Sequence, residues 1–166
     1  ANGEAATDGV ARKIESAFDN YQFTHNYDDN AVTLDRVREL GDNQIVLWDG
    51  HGGFTSNNHS FIALGEQLDE IAFLLDPIYY LQNLNYTTDY LSGAIICTNL
   101  DNRIAIGYKF IEKYVSSMNN SFIYLGACET GKDSVFAEAF LNKGATAVVA
   151  NSETVLTDYT QAMERE

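Results

Sequence analysis

Three short apolar runs constrain this chain most: Ile45-Val-Leu-Trp48, Phe122-Ile-Tyr-Leu125 and Ala145-Thr-Ala-Val-Val-Ala150. They lack the strict polar alternation of a strand wet on one face, so they read as strands covered on both faces, as in parallel sheets flanked by helices. Helical patterns lie around them. Thr7 to Asn20 carries Val10, Ile14, Ala17 and Phe18 at helical spacing behind a Thr7 or Asp8 cap. A second helix opens at Thr33, with Leu34, Val37 and Leu40 on one face and Gly41 as its stop. Phe110, Ile111, Tyr114, Val115 and Met118 mark a third, and Ser134 to Asn142 a fourth that ends before Gly144. A last amphipathic helix is expected from Thr157 onward.

Further strands are expected at Tyr21–Tyr27, Ser60–Leu64, Leu91–Thr98 and Arg103–Gly107, with Leu68–Leu75 readable as helix or strand before Pro77. Strands alternating with helices imply an α/β fold, a three-layer α/β/α sandwich with a mostly parallel sheet. The 166 residues suit one domain over 1–166, and both ends read as cut from a longer polypeptide. No apolar run reaches the length of a membrane span. A net charge of −14 opposes binding to nucleic acid or anionic membranes, which need basic faces. Location stays open, because a mature secreted chain would also lack a leader.

Two of the apolar runs end in reactive side chains. Ile45–Trp48 runs into Asp49-Gly-His51-Gly-Gly53, and Phe122–Leu125 runs into Gly126-Ala-Cys128-Glu-Thr-Gly131. In a parallel sheet both emerge at the C-terminal edge, where open α/β sheets place their chemistry. A cysteine beside a histidine is the minimum set for covalent acyl transfer, with histidine as general acid and base. A backbone N–H beside the histidine and that of Cys128 can hold an oxyanion. The flanking glycines read as a sharp turn that lets substrate approach. The blander reading makes Cys128 a small buried residue and His51 incidental to an Asp-Gly turn.

Cys97, in Ala94-Ile-Ile-Cys-Thr98, reads as core, and a Cys97–Cys128 disulfide stays open. His25 and His59 are expected at the surface. No zinc spacing, EF-hand pattern or phosphate loop is present, so neither a metal site nor a cofactor is expected, with calcium at some other loop left open.

Together the two motifs resemble those of the caspase-like cysteine peptidases. Ala127-Cys-Glu-Thr-Gly131, a helix, and Lys143-Gly-Ala-Thr-Ala-Val-Val149 are most similar to the CHAT branch and to bacterial clostripain- and gingipain-like relatives. The resemblance implies a caspase-haemoglobinase fold and endopeptidase activity on a protein or peptide substrate. Cys128 is then the nucleophile, His51 its partner, and the Gly52 and Cys128 N–H groups the oxyanion hole, with no third acidic member required. In several relatives the residue two before the nucleophile is polar or charged and lines the P1 pocket; here it is Gly126, so that cue is missing and the P1 residue stays open, with the loop Asn151-Ser-Glu153-Thr154 as the place to look for a pocket wall. Gly126 and Glu153 are therefore the candidate substrate-binding positions. The acidic chain leans towards a basic P1 residue. Relatives are often matured from precursors or switched on by a partner. A catalytically silent binding module is the competing expectation.

Overall fold

A computed structural model describes residues 6–22, 29–69, 74–76, 84–99 and 101–155. The helix beyond Thr157, His25, most of the expected strand at Tyr21–Tyr27 and half of Leu68–Leu75 (70–73) lie outside the described residues. Helix α1 spans Ala6–Ala17 and α2 spans Leu34–Arg38. Thr33 caps α2 by accepting a 3.4 Å bond from the Arg36 N–H, as the Thr-x-x pattern at a helix start predicts. Strands β1 (Ile45–Asp49), β2 (Gly52–Phe54) and β3 (Ser60–Gln67) follow, then α3 (Leu84–Ser92), β4 (Ile95–Cys97), β5 (Arg103–Ile106) and α4 (Tyr108–Tyr114). Strand β6 (Phe122–Gly126), helix α5 (Ser134–Asn142) and strand β7 (Ala147–Ala150) complete the described chain.

The chain is α/β, and its strands divide between two sheets. The parallel sheet has the order β1-β6-β7, with β6 central, and is built from the three apolar runs. The antiparallel sheet has the order β2-β3-β5-β4. In the parallel sheet Val46, Trp48, Ile123 and Leu125 face the core, whereas Ile45, Leu47 and Tyr124 on the other face are only half-buried. On that second face Phe122 is 38 % and Val149 46 % exposed, so the sheet is not covered on both sides along its length.

Helix α5 packs Phe136, Ala139 and Phe140 inward at helical spacing, with the two phenyl rings 5.5 Å apart. Burying each Phe is worth roughly 1.5–3 kcal/mol. Gly144 ends this segment at φ 102°, a backbone angle that favours glycine.

The strand expected over Leu91–Thr98 is corrected at its start. Leu91 and Ser92 close α3, Gly93 turns at φ 71°, and the strand begins at Ile95. The reason is a buried carboxylate. Asp89 on α3 is 1 % exposed and accepts 2.7 Å bonds from Lys113 Nζ and the Tyr114 hydroxyl, which anchors α3 to α4.

Candidate active site

Strands β1 and β6 pair in parallel, with Asp49 opposite Gly126 at their ends. His51 and Cys128 each lie two residues beyond that last pair, so the register brings both to one edge of the sheet on neighbouring strands. Adjacent strands run about 4.8 Å apart. Gly52 touches the cysteine segment directly: a Cβ there would lie 2.5 Å from the Cys128 carbonyl oxygen and 3.0 Å from Ala127 Cβ.

The glycines are not an open turn, as their sequence suggests. Gly52–Phe54 is an edge strand paired with Ser60–Ile62, and the Ala63 N–H donates to the His51 carbonyl at 2.7 Å. None of Gly50, Gly52 and Gly53 has a positive φ. What Gly52 supplies is the lack of a side chain where two backbones meet.

The His51 residue is exposed and Cys128 is half-buried. Cys97 and Cys128 are not joined in a disulfide, and Cys97 packs partly buried against the core. Cys128 Sγ accepts from the Val155 N–H at 3.4 Å and lies 3.5 Å from the Val155 carbonyl oxygen, to which the thiol donates. Among the described residues the thiol therefore bonds to Val155, while His51 is exposed beyond the same edge.

The turn after the cysteine is held from every side. Glu129 has φ 56°, a left-handed angle that costs a non-glycine residue about 1–2 kcal/mol. Its N–H donates to the Glu153 carbonyl at 3.1 Å, and its own carbonyl accepts from Ser60 Oγ at 2.6 Å. Gly131 N–H donates to the Asn151 carbonyl at 2.8 Å, and Asn151 Nδ2 donates to the Ala127 carbonyl at 3.4 Å. Thr130 is fully buried and donates to the Leu125 and Ala127 carbonyls. Strain beside a candidate nucleophile, fixed by several partners, is the pattern of a functional turn. Only Thr130-Gly131 hints at it in the sequence; nothing there marks Glu129.

His59 lies at the surface as expected, its side chain 39 % exposed, but it is held there: its Nδ1 lies 3.0 Å from Asp133 Oδ2, and its ring meets Tyr108 edge-on at 4.9 Å. Asp133 also accepts from Ser60 N–H at 3.3 Å and caps α5 through Phe136 N–H at 3.4 Å. His59, Ser60 and Asp133 thus tie the β2–β3 hairpin to the turn that carries Cys128. The sequence separation between His59 and Asp133 hides this link.

Gly126 is buried, and a Cβ there would lie 2.8 Å from the Tyr124 ring and 3.2 Å from Asp49 Oδ1. Glu153 is exposed and contributes its backbone carbonyl to the Glu129 turn. Asp49 is exposed as a residue, and partial desolvation of its carboxyl raises the pKa above the ordinary aspartate value, outweighing the Gly50 N–H and the His51 charge that favour its ionised form. Among the described residues, no group of three or more His, Cys, Asp or Glu is placed to hold a metal ion. Among them, too, no helix is long and apolar enough to cross a membrane. No family model matches the chain, and no curated protein matches it.

Proposed function

We propose that this chain is a caspase-like cysteine endopeptidase acting through a Cys128–His51 dyad. The observation that carries the reading is the register: His51 and Cys128 stand two residues past the same terminal pair of two adjacent parallel strands, with Gly52 pressed against the cysteine backbone. The thiolate of Cys128 attacks the scissile carbonyl carbon. His51 gives its proton to the leaving amine, and an acyl-enzyme forms. Water, deprotonated by His51, then attacks the thioester and frees the acid. The Gly52 and Cys128 N–H groups are assigned to the oxyanion. Substrate binding, or maturation by cleavage or by an activating partner, would have to turn the thiol from Val155 towards His51.

The Val155 bonds also favour a second reading, a catalytically silent module in which the same thiol is a structural tie. A peptide library and a thiol-directed electrophile separate the two. The peptidase reading expects cleavage that disappears in Cys128→Ala, and alkylation of Cys128 that slows at least 10-fold in His51→Ala. Undiminished cleavage by Cys128→Ala, or alkylation indifferent to His51, rejects it.

A further inference from the structure

We propose that Ser60, on the hairpin that follows His51, is a positioning residue for Cys128: its buried hydroxyl holds the strained peptide after the cysteine and so fixes where the thiol stands relative to His51. This rests on the endopeptidase reading and deepens it.

A hydroxyl taken out of water needs a partner, and Ser60 is only 1 % exposed. Its Oγ donates to the Glu129 carbonyl at 2.6 Å, across 69 positions of sequence, and accepts from the Asp133 N–H at 3.5 Å. The Ser60 N–H donates to Asp133 Oδ2 at 3.3 Å. Ser60 pairs with Phe54 in the β2–β3 hairpin, and β2 starts at Gly52, the neighbour of His51. One buried hydroxyl therefore reaches from the histidine side of the site to the cysteine side.

Successive peptide groups after Cys128 are gripped by different elements. The Cys128 carbonyl lies against the Gly52 backbone, and the N–H of the same peptide unit, that of Glu129, donates to the Glu153 carbonyl at 3.1 Å. The next carbonyl, that of Glu129, takes the Ser60 hydroxyl from outside the turn and the Lys132 N–H, at 3.2 Å, from within it. Between these two peptide units sits the Glu129 φ of 56°. A left-handed residue other than glycine keeps such an angle only where its surroundings over-determine it. Relaxing the angle turns the Cys128–Glu129 peptide, and with it the thiol, relative to the histidine strand.

The other ties between hairpin and turn are less suited to this work. Lys132 crosses 4.8 Å over the Phe54 ring, but its side chain is exposed and water can replace the contact. The Asp133 carboxylate serves as the cap of α5 and the partner of His59. Ser60 is the buried group that bonds to the turn peptide itself. Misplacing a reacting group by about 1 Å costs on the order of 100-fold in rate, so a small relaxation here is enough to matter.

The competing role for Ser60 is a purely structural tie, and coupling to His51 distinguishes the two. Alkylation of Cys128 by a small electrophile, located by peptide mapping, is measured in the full chain with His51 intact and in His51→Ala. The ratio of the two rates reports how well the histidine serves the thiol. It is expected to be at least about 10-fold with Ser60 in place and below about 3-fold in Ser60→Ala. Adding Glu129→Gly to Ser60→Ala should raise the ratio again by at least about 3-fold, because glycine keeps a positive φ without help. If Ser60→Ala does not melt cooperatively, Ser60→Cys, close in size but a weak donor, carries the comparison and should lower the ratio in the same direction. On a cleaved peptide the loss should fall on kcat, with KM within about 3-fold. An undiminished ratio in a folded Ser60 variant, with only the melting temperature lowered, overturns the proposal in favour of a structural tie and leaves the peptidase reading intact. A lowered ratio that Glu129→Gly does not raise overturns it too, because the effect then does not pass through the turn peptide. No cleavage of any peptide, with alkylation of the unaltered chain indifferent to His51, overturns both.

Discussion

Alanine placed at Gly50, Gly52 and Gly53 in turn tests whether the two halves of the site meet as described. At Gly52 the new Cβ would lie 2.5 Å from the Cys128 carbonyl oxygen and 3.0 Å from the Phe61 carbonyl oxygen. Both are backbone atoms and cannot rotate away. Restoring ordinary contact, which begins near 3.4 Å, takes a separation of about 0.9 Å between the β2 and Cys128 backbones. Overpacking of this kind costs about 1–3 kcal/mol. A shift near 1 Å in a reacting group is worth on the order of 100-fold in rate. At Gly53 the Cβ meets only the Phe61 ring, at 2.8 Å, which can swing, so the cost is expected to stay below about 1.5 kcal/mol. At Gly50 nothing lies within 4 Å, and alanine should be neutral or stabilising by up to about 1 kcal/mol. Thermal melting and the rate of Cys128 alkylation by a small electrophile measure both effects. Gly52→Ala is expected to lose at least 1 kcal/mol and to react at a clearly altered rate, with Gly50→Ala matching the wild type. If all three variants melt and react alike, the contact between the histidine loop and the cysteine segment is refuted.

Two further expectations concern stability. Asp133→Ala removes the α5 cap and the partner of His59 and Ser60 at once, so it should destabilise by about 1–3 kcal/mol, with Asp133→Asn recovering the cap's share; urea titration reads both, and an unshifted midpoint in Asp133→Ala rejects the tie. The folded-state pKa of Asp49 is raised above 3.8, so the folded chain binds this proton more tightly than the unfolded one does. Its effect on stability is therefore most favourable below the ordinary aspartate pKa and declines as pH rises through the raised value. Asp49→Asn should melt no lower than the wild type at neutral pH, and a clear loss of melting temperature there contradicts the dehydration account.

Much of the framework was legible because it is local. Helix α5, its Ser134–Asn142 span and the Gly144 stop follow from spacing and a glycine, all within a few turns of chain. The parallel strands β1, β6 and β7 were legible because nearly continuous apolar runs have few other uses. Gly52–Phe54 was misread because glycines signal turns by default; here they permit an edge strand to lie against another backbone. Leu91 and Ser92 look like the start of a strand, yet the α3 helix continues through them because Asp89 is anchored by partners on α4. His59 sits at the surface as its polar loop suggests, but its bond to Asp133, 74 positions further along the chain, is decided only by the fold.

The sequence by itself determined which groups could do chemistry: one histidine after one apolar strand, one cysteine after another, and an acidic chain around them. Residue type and local period are properties of short segments, so they survive without any knowledge of the fold. Tertiary structure alone decided how those segments meet. The pairing of Asp49 with Gly126 sets His51 and Cys128 at one sheet edge, brings Asp49 into the space a side chain at 126 would fill, and leaves the thiol bonded to Val155. Register between distant strands is set by the whole sheet's packing, because a slip of one residue would turn every side chain to the opposite face.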